Sequence, residues 1–221
     1  MKTTMTISNG SRESLTIRKV LLVCGTLSSL WYVFVNIYVP MLDEQYSIVT
    51  FTVSELSAIG APTRSVWVSL VVIYPVLFGA FGVGVLQSAG SSKALRAVGW
   101  IIIGYSIFNI YWPPMHQRGI EPTLTDTLHI VWAAITIMLM IVMMAIGATA
   151  FDRTFKFYTI ASIATHFVFG LLTGTEAPNI PTNGPTPWIG VLERINIGVF
   201  MLWIVVLSVK LYKHHPENLR A

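Results

Sequence analysis

Charge is what this chain has least of. Asp, Glu, Lys and Arg make up 11% of its 221 residues, less than half the share of a soluble domain. Hydrophobic residues make up 54%, and mean hydropathy is +0.67. A deficit spread along the whole length excludes a water-soluble core and leaves an integral membrane protein, because about 20 apolar residues cross the hydrocarbon. Cysteine is nearly absent. Cys24 is alone, so no intrachain disulfide staples the loops, and inside an apolar run it reads as a small filler. His-Glu-x-x-His, Cys-x-x-Cys and Gly-x-Ser-x-Gly are all missing. Zincin, dithiol and serine-hydrolase chemistry lose their usual signatures. No metal and no cofactor are expected. Gly79-Ala80-Phe81-Gly82-Val83-Gly84 lies within an apolar run and reads as packing, not as a phosphate loop.

What is present is a series of apolar runs. They predict an all-α membrane protein, a six-transmembrane-helix bundle, with spans near 20–39, 66–87, 97–112, 126–150, 157–173 and 188–209. The first run follows Arg18-Lys19 and ends in Asn36-Ile37-Tyr38-Val39-Pro40. It is too long for a signal peptide core. Trp31, Tyr32 and Tyr38 suit an aromatic belt or a pocket wall. Pro75 predicts a kink near 71–75. Ala80, Gly84 and Ser88 form a stripe that admits a close neighbouring helix. Met138, Met140, Met143 and Met144 read as flexible packing. The loop 174–187 holds Pro178, Pro181 and Pro185, with Pro187 at its end, and is expected to be stiff and extended.

The basic residues are unevenly shared. With the N-terminus inside, 11 of the 14 fall on inner segments, and Arg64, Arg118 and Arg194 are the other three. The positive-inside rule then places both termini in the cytoplasm, with the chain in the cytoplasmic (inner) membrane. Residues 1–17 read as a flexible cytoplasmic tail, 18–212 as the membrane domain and 213–221 as a second cytoplasmic tail. The basic clusters are short topology signals. They do not point to nucleic acid, despite a pI of 9.3. The expected partners are the lipid bilayer and a small-molecule or lipid ligand, and self-association is open.

The acids lean the other way. Asp43, Glu44, Glu55, Glu121, Asp126, Glu176 and Glu193 are outer on this topology, seven of ten. The richest stretch is 52–64, with Ser54, Glu55, Ser57, Gly60, Pro62 and Arg64. Ser54 and Ser57 are N-cap candidates, and 54–59 is expected to form a short interfacial helix, with Leu56 and Ile59 on one face. It would roof a polar pocket, with Glu55 paired to Arg194 or His129. Asp126 and His129 share a face, as do Glu193 and Asn196. His166 lies about 10 Å deep, counting 1.5 Å per residue, and a group at that depth faces the bundle interior. The candidate binding set is Ser54, Glu55, Arg64, Asn109, Asp126, His129, His166, Glu193, Arg194 and Asn196. His129, His166, Asp126 and Glu193 are also the acid/base candidates of a membrane-embedded hydrolase or transferase. Each has a plainer role. His166 can bond a neighbouring helix. Asp126 can cap its span. Glu193 and Arg194 can form an interfacial pair, and Glu55, His116, His214 and His215 can be solvated.

The loop Ser54-Glu55-Leu56-Ser57-Ala58 with Gly60-Ala61-Pro62, the helix start at His129, and Leu192-Glu193-Arg194 resemble the bacterial integral membrane family catalogued as domain of unknown function 998. The resemblance covers nearly the whole chain. It implies a multi-span helical protein of the cytoplasmic membrane and brings no established activity. Three functions stay open: binding of a small molecule or lipid headgroup in an outward-facing pocket, an acid/base reaction, and an accessory role in a membrane complex.

Overall fold

The structure is a computed structural model. It describes the backbone of residues 9–213 and side chains from Leu15. Residues 1–8 and 214–221, His214 and His215 among them, lie outside the described residues. The described residues form seven α-helices: α1 Asn9–Tyr38, α2 Arg64–Val71, α3 Ile73–Ser88, α4 Lys93–Phe108, α5 Leu124–Gly147, α6 Arg153–Glu176 and α7 Ile189–Lys213. No strand occurs among the described residues; one isolated parallel bridge joins Ile59 to His116. Five stretches are long and apolar enough to cross a membrane: Leu15–Leu42, Arg64–Ser88, Leu124–Gly147, Arg153–Asn179 and Ile189–Lys213. The helix α4, with 16 residues, falls short of that length.

The helices α4, α5 and α6 start ahead of their apolar runs because polar caps, not hydropathy, set the first turn. The Ser92 hydroxyl accepts from Leu95 N at 3.2 Å, and Asp152 Oδ1 accepts from Phe155 N at 2.9 Å. Thr123 and Asp126 form a capping box at α5. The first helix corrects the sequence reading further. It begins at Asn9, inside the stretch read as a tail. Extending a formed helix fixes one residue per hydrogen bond, far less demanding than nucleating a new one.

Pro75 acts as expected. The second apolar run is broken at Val72 into α2 and α3. Pro75 has no N–H to offer the turn before it. Trp31 Nε1 on α1 donates to the Leu70 carbonyl beside the break, at 2.8 Å, so a neighbouring helix satisfies part of the kink.

The helices form a ring in the order α1, α3, α4, α5, α6, α7 and back to α1. Small residues set the closest approaches. A Cβ on Gly84 would lie 3.0 Å from the Leu21 and Leu22 backbone, and one on Gly82 or Gly99 would lie 3.1 Å from the other's carbonyl oxygen. The inner half of the ring is filled by Phe81, Phe200, Trp203, Met143 and Met144, all fully buried. Trp203 Nε1 donates to Thr159 Oγ1 at 2.9 Å, which satisfies its one polar atom. Met138 points outward and is 64% exposed, so the methionine stripe splits between core and rim. The other half, named outer after the orientation expected from the basic residues, is less completely filled, and the three loops 43–63, 109–123 and 177–188 gather over it.

Candidate functional site

The roof begins with Thr52-Val53-Ser54-Glu55. A hydroxyl followed three residues later by a carboxylate is a capping box, and it closes here around a 3-10 turn, Ser54–Ser57. Glu55 N donates to Thr52 Oγ1 at 3.2 Å, while Thr52 N and Oγ1 donate to Glu55 Oε2 at 2.7 and 2.9 Å. Thr52 therefore opens the turn. Ser54 and Ser57 do not cap it, and Ser57 Oγ instead donates back to the Ser54 carbonyl. Leu56 is fully buried with Val35, Val39, Val53 and Trp67. Ile59 is 38% exposed and does not share that face, because the turn ends at Ser57 and Ala58 is extended at φ −59°, ψ 151°.

Glu55 is 6% exposed, so it is not a solvated loop charge. Its partner is Arg118, not Arg194 or His129. Arg118 Nε pairs with Glu55 Oε1, and Nη2 donates to Oε2 at 2.9 Å. The same guanidinium donates to Thr186 Oγ1 and to the Thr50 carbonyl, both at 2.6 Å, and lies 4.3 Å from the Phe51 ring centroid. One planar fork thus joins all three outer loops. Arg118 was absent from the candidate set. Its partners lie 63 and 68 residues away, and no local pattern marks such pairs.

Arg194 faces the same loops from α7. Its Nη1 donates to the carbonyls of Ile48, Phe51 and Gly190, and Nη2 donates to Tyr46 Oη at 2.7 Å. Tyr46 Oη passes its own proton to the Thr52 carbonyl at 2.7 Å. Burial pushes the Tyr46 phenol well above its ordinary range, so it remains a donor. Glu193 turns the opposite way from Arg194 and accepts from Val53 N at 2.5 Å through Oε2. The two neighbours do not pair with each other.

The histidines and Asp126 are bonded to neighbouring protein groups. Asp126 accepts from Thr123 N at 2.8 Å, from His116 N at 2.7 Å, and meets His116 Nδ1 at 2.8 Å. It caps α5 and holds His116 rather than facing a cavity. His129 is wedged between the Pro113 carbonyl at 2.7 Å, Trp112 Nε1 at 3.0 Å and Ser54 Oγ at 3.1 Å. Pro113 can only accept and Trp112 can only donate, so Nδ1 serves one of them at a time. His166, fully buried, donates through Nδ1 to the Asn196 carbonyl at 3.0 Å, and Asn196 Nδ2 returns a bond to the His166 carbonyl at 2.5 Å. This clamp ties α6 to α7. The depth argument required a polar partner for His166, and a helix carbonyl supplies it.

Beneath the roof lies a cavity of about 720 Å³. Of the ten candidates it is lined by Ser54, Arg64, Asn109, Glu193 and Asn196; Glu55, Asp126, His129, His166 and Arg194 are not in its wall. The remainder of the wall is aromatic and aliphatic, with Tyr32, Trp67, Tyr74, Tyr105 and Trp112 foremost. Of these, Tyr32 was read as a pocket wall from sequence. Asn109 fixes one side, donating to the Tyr105 carbonyl at 2.9 Å and accepting from Thr136 Oγ1 at 3.3 Å. Arg64 holds the roof by donating to the Ser57 carbonyl. Among the described residues no group of three or more His, Cys, Asp or Glu is placed to hold a metal ion.

The cavity wall holds one carboxylate, one guanidinium, two amides and several hydroxyls amid aromatic rings. His129 is bonded at both ring nitrogens and His166 at Nδ1, while His166 Nε2 is buried without a partner. No curated protein and no solved structure matches this chain. One family profile does, over residues 26–210, and it spans α1 to α7 including every residue of the roof and the cavity wall: the chain belongs to the family described as protein of unknown function, DUF998.

Proposed function

We propose that this protein binds a small amphipathic molecule in the cavity, with the outer loops as a fixed roof. The observation that carries this reading is the cavity itself. At about 720 Å³ it lies in the range of small-molecule sites, about 300–1,000 Å³, and it has their makeup: mostly apolar and aromatic wall with a few placed polar groups. Ser54, Ser57 and Arg64 bring polar groups to it from the roof, and Met140 and Met201 line it as well. Such a mixed wall fits a ligand with a polar head and an apolar body.

On the same proposal α4 is a sixth crossing. Its 16 residues span about 24 Å at 1.5 Å each, and a short hydrophobic element is accommodated at modest cost by local thinning of the bilayer. Six crossings place both termini on the cytoplasmic side and the Arg118 knot on the outer face. A C-terminal reporter active only outside the cytoplasm is expected to stay silent. Activity there would invert the topology and put the cavity mouth on the cytoplasmic side.

The binding reading is tested by filling the cavity. Ala133 is one of its wall residues and is only half-buried, so Ala133→Trp projects an indole inward without cutting into the core. Native mass spectrometry of protein released from nanodiscs is expected to show a retained small adduct on the wild type and none on Ala133→Trp. Equal adducts on both would remove the cavity as the site.

A further inference from the structure

We infer that the ligand of this cavity is a zwitterion, with its ammonium held at Glu193 and its anionic group at Arg64. The inference rests on the binding reading above and adds the charge pattern of the head. Glu55 is cancelled by Arg118, and Asp126 is held by His116 and the first turn of α5. Glu193 and Arg64 line the same cavity, and neither has a charged partner: the ion pairs among the described residues are His116–Asp126, Arg118–Glu55 and Lys210–Asp152. Glu193 has one backbone N–H, from Val53, and Arg64 has one carbonyl, from Ser57. Arg194, next to Glu193 in sequence, has its guanidinium on Tyr46 and the loop carbonyls.

Two opposite charges that line one cavity without an ion-pair partner are both open to a ligand of complementary charge. A singly charged ligand cancels one and leaves the other. A zwitterion cancels both. The aromatic wall favours a particular cation. Tyr32, Trp67, Tyr74 and Tyr105 line the space, and aromatic rings attract a soft, weakly hydrated ammonium. Arg64 presents a planar fork suited to a phosphate or carboxylate. The volume admits such a head with a short apolar extension. The head is shared by two sources, a zwitterionic lipid and a free zwitterion.

The test uses the full chain in nanodiscs of phosphatidylglycerol, which lacks an ammonium. Trp67 and Trp112 in the wall report binding by fluorescence. Four probes are titrated: hexylphosphocholine, hexyltrimethylammonium, hexyl sulfate and chain-free glycerophosphocholine. Hexylphosphocholine is expected to bind about tenfold or more tighter than either singly charged hexyl probe. Glu193→Gln is expected to weaken the two ammonium-bearing hexyl probes and spare hexyl sulfate. Arg64→Gln is expected to weaken hexylphosphocholine and hexyl sulfate and spare hexyltrimethylammonium. Should either variant fail to fold, the ranking on the wild type decides alone. Glycerophosphocholine binding as tightly as hexylphosphocholine supports the zwitterion and names a free solute; much weaker binding supports it and names a lipid. Equal affinity for the three hexyl probes overturns the zwitterion and leaves the cavity as a binding site. No saturable binding by any probe overturns both.

Discussion

Arg118→Ala is expected to lower stability by about 3–5 kcal/mol, the usual effect of removing one partner from a buried ion pair. The Glu55 and Arg118 side chains are 5% and 10% exposed, so water does little to replace the lost contact. The substitution strands the Glu55 carboxylate with only Thr52 as donor. It also frees the Thr50 carbonyl and Thr186. Three loops therefore loosen together, not one. Thermal unfolding of the purified protein measures the loss, and limited proteolysis should cut first within 43–63 and 113–122. The double variant Glu55→Ala/Arg118→Ala separates the charge from the knot. It should lie closer to wild type than Arg118→Ala alone, because no uncompensated buried charge remains. A single variant as stable as wild type would mean the fork is decorative.

Gly190→Ala is expected to be the second most damaging change at the outer end. Gly190 lies in the first turn of α7, where the opening loop presses directly on the helix. Its N–H donates to the Val49 carbonyl at 3.0 Å. A Cβ there would overlap the carbonyl oxygens of Ile48 and Phe51, and both are backbone atoms, which cannot rotate aside. Overpacking of this kind costs about 1–3 kcal/mol. The same carbonyls accept from Arg194, so displacing them also loosens that guanidinium. Gly198→Ala on the same helix is the control. Nothing lies within 4 Å of its added Cβ, and alanine is the better helix former. Equal thermal midpoints for the two variants would show that the loop does not dock on α7.

These two positions also show where sequence reasoning reached and where it stopped. Apolar runs and the 71–75 kink were legible because hydropathy and Pro75 act locally. Glu193, Asn196, Arg64 and Asn109 were read as binding candidates from their places near helix ends, and all four line the cavity. His166 was legible as inward-facing but not as clamped to Asn196, since the lipid argument demands a polar partner without saying which. Asp126 carried both readings, and its capping box with Thr123 fits the plainer one. Thr52-x-x-Glu55 is the same signature. It would have turned the Glu55 carboxylate back onto Thr52 instead of toward Arg194. Arg118 and the carbonyl cradle around Gly190 were not legible at all. They depend on loops brought together by the ring of helices, and no spacing within one loop records that.

The account turns on the outer loops forming one closed roof over the cavity. Hydrogen exchange of the purified protein tests that most directly. Leu56 N, Ala58 N and Ile59 N donate to the carbonyls of Val53, Glu55 and Met115, the last on a different loop. These amides are expected to exchange slowly in the wild type and to become fast in Arg118→Ala, while amides in the middle of α3 stay protected in both. Amides at 56–59 that exchange in the wild type as fast as those of the loop tip 119–121 would contradict the closed roof, and with it the cavity as a sheltered site.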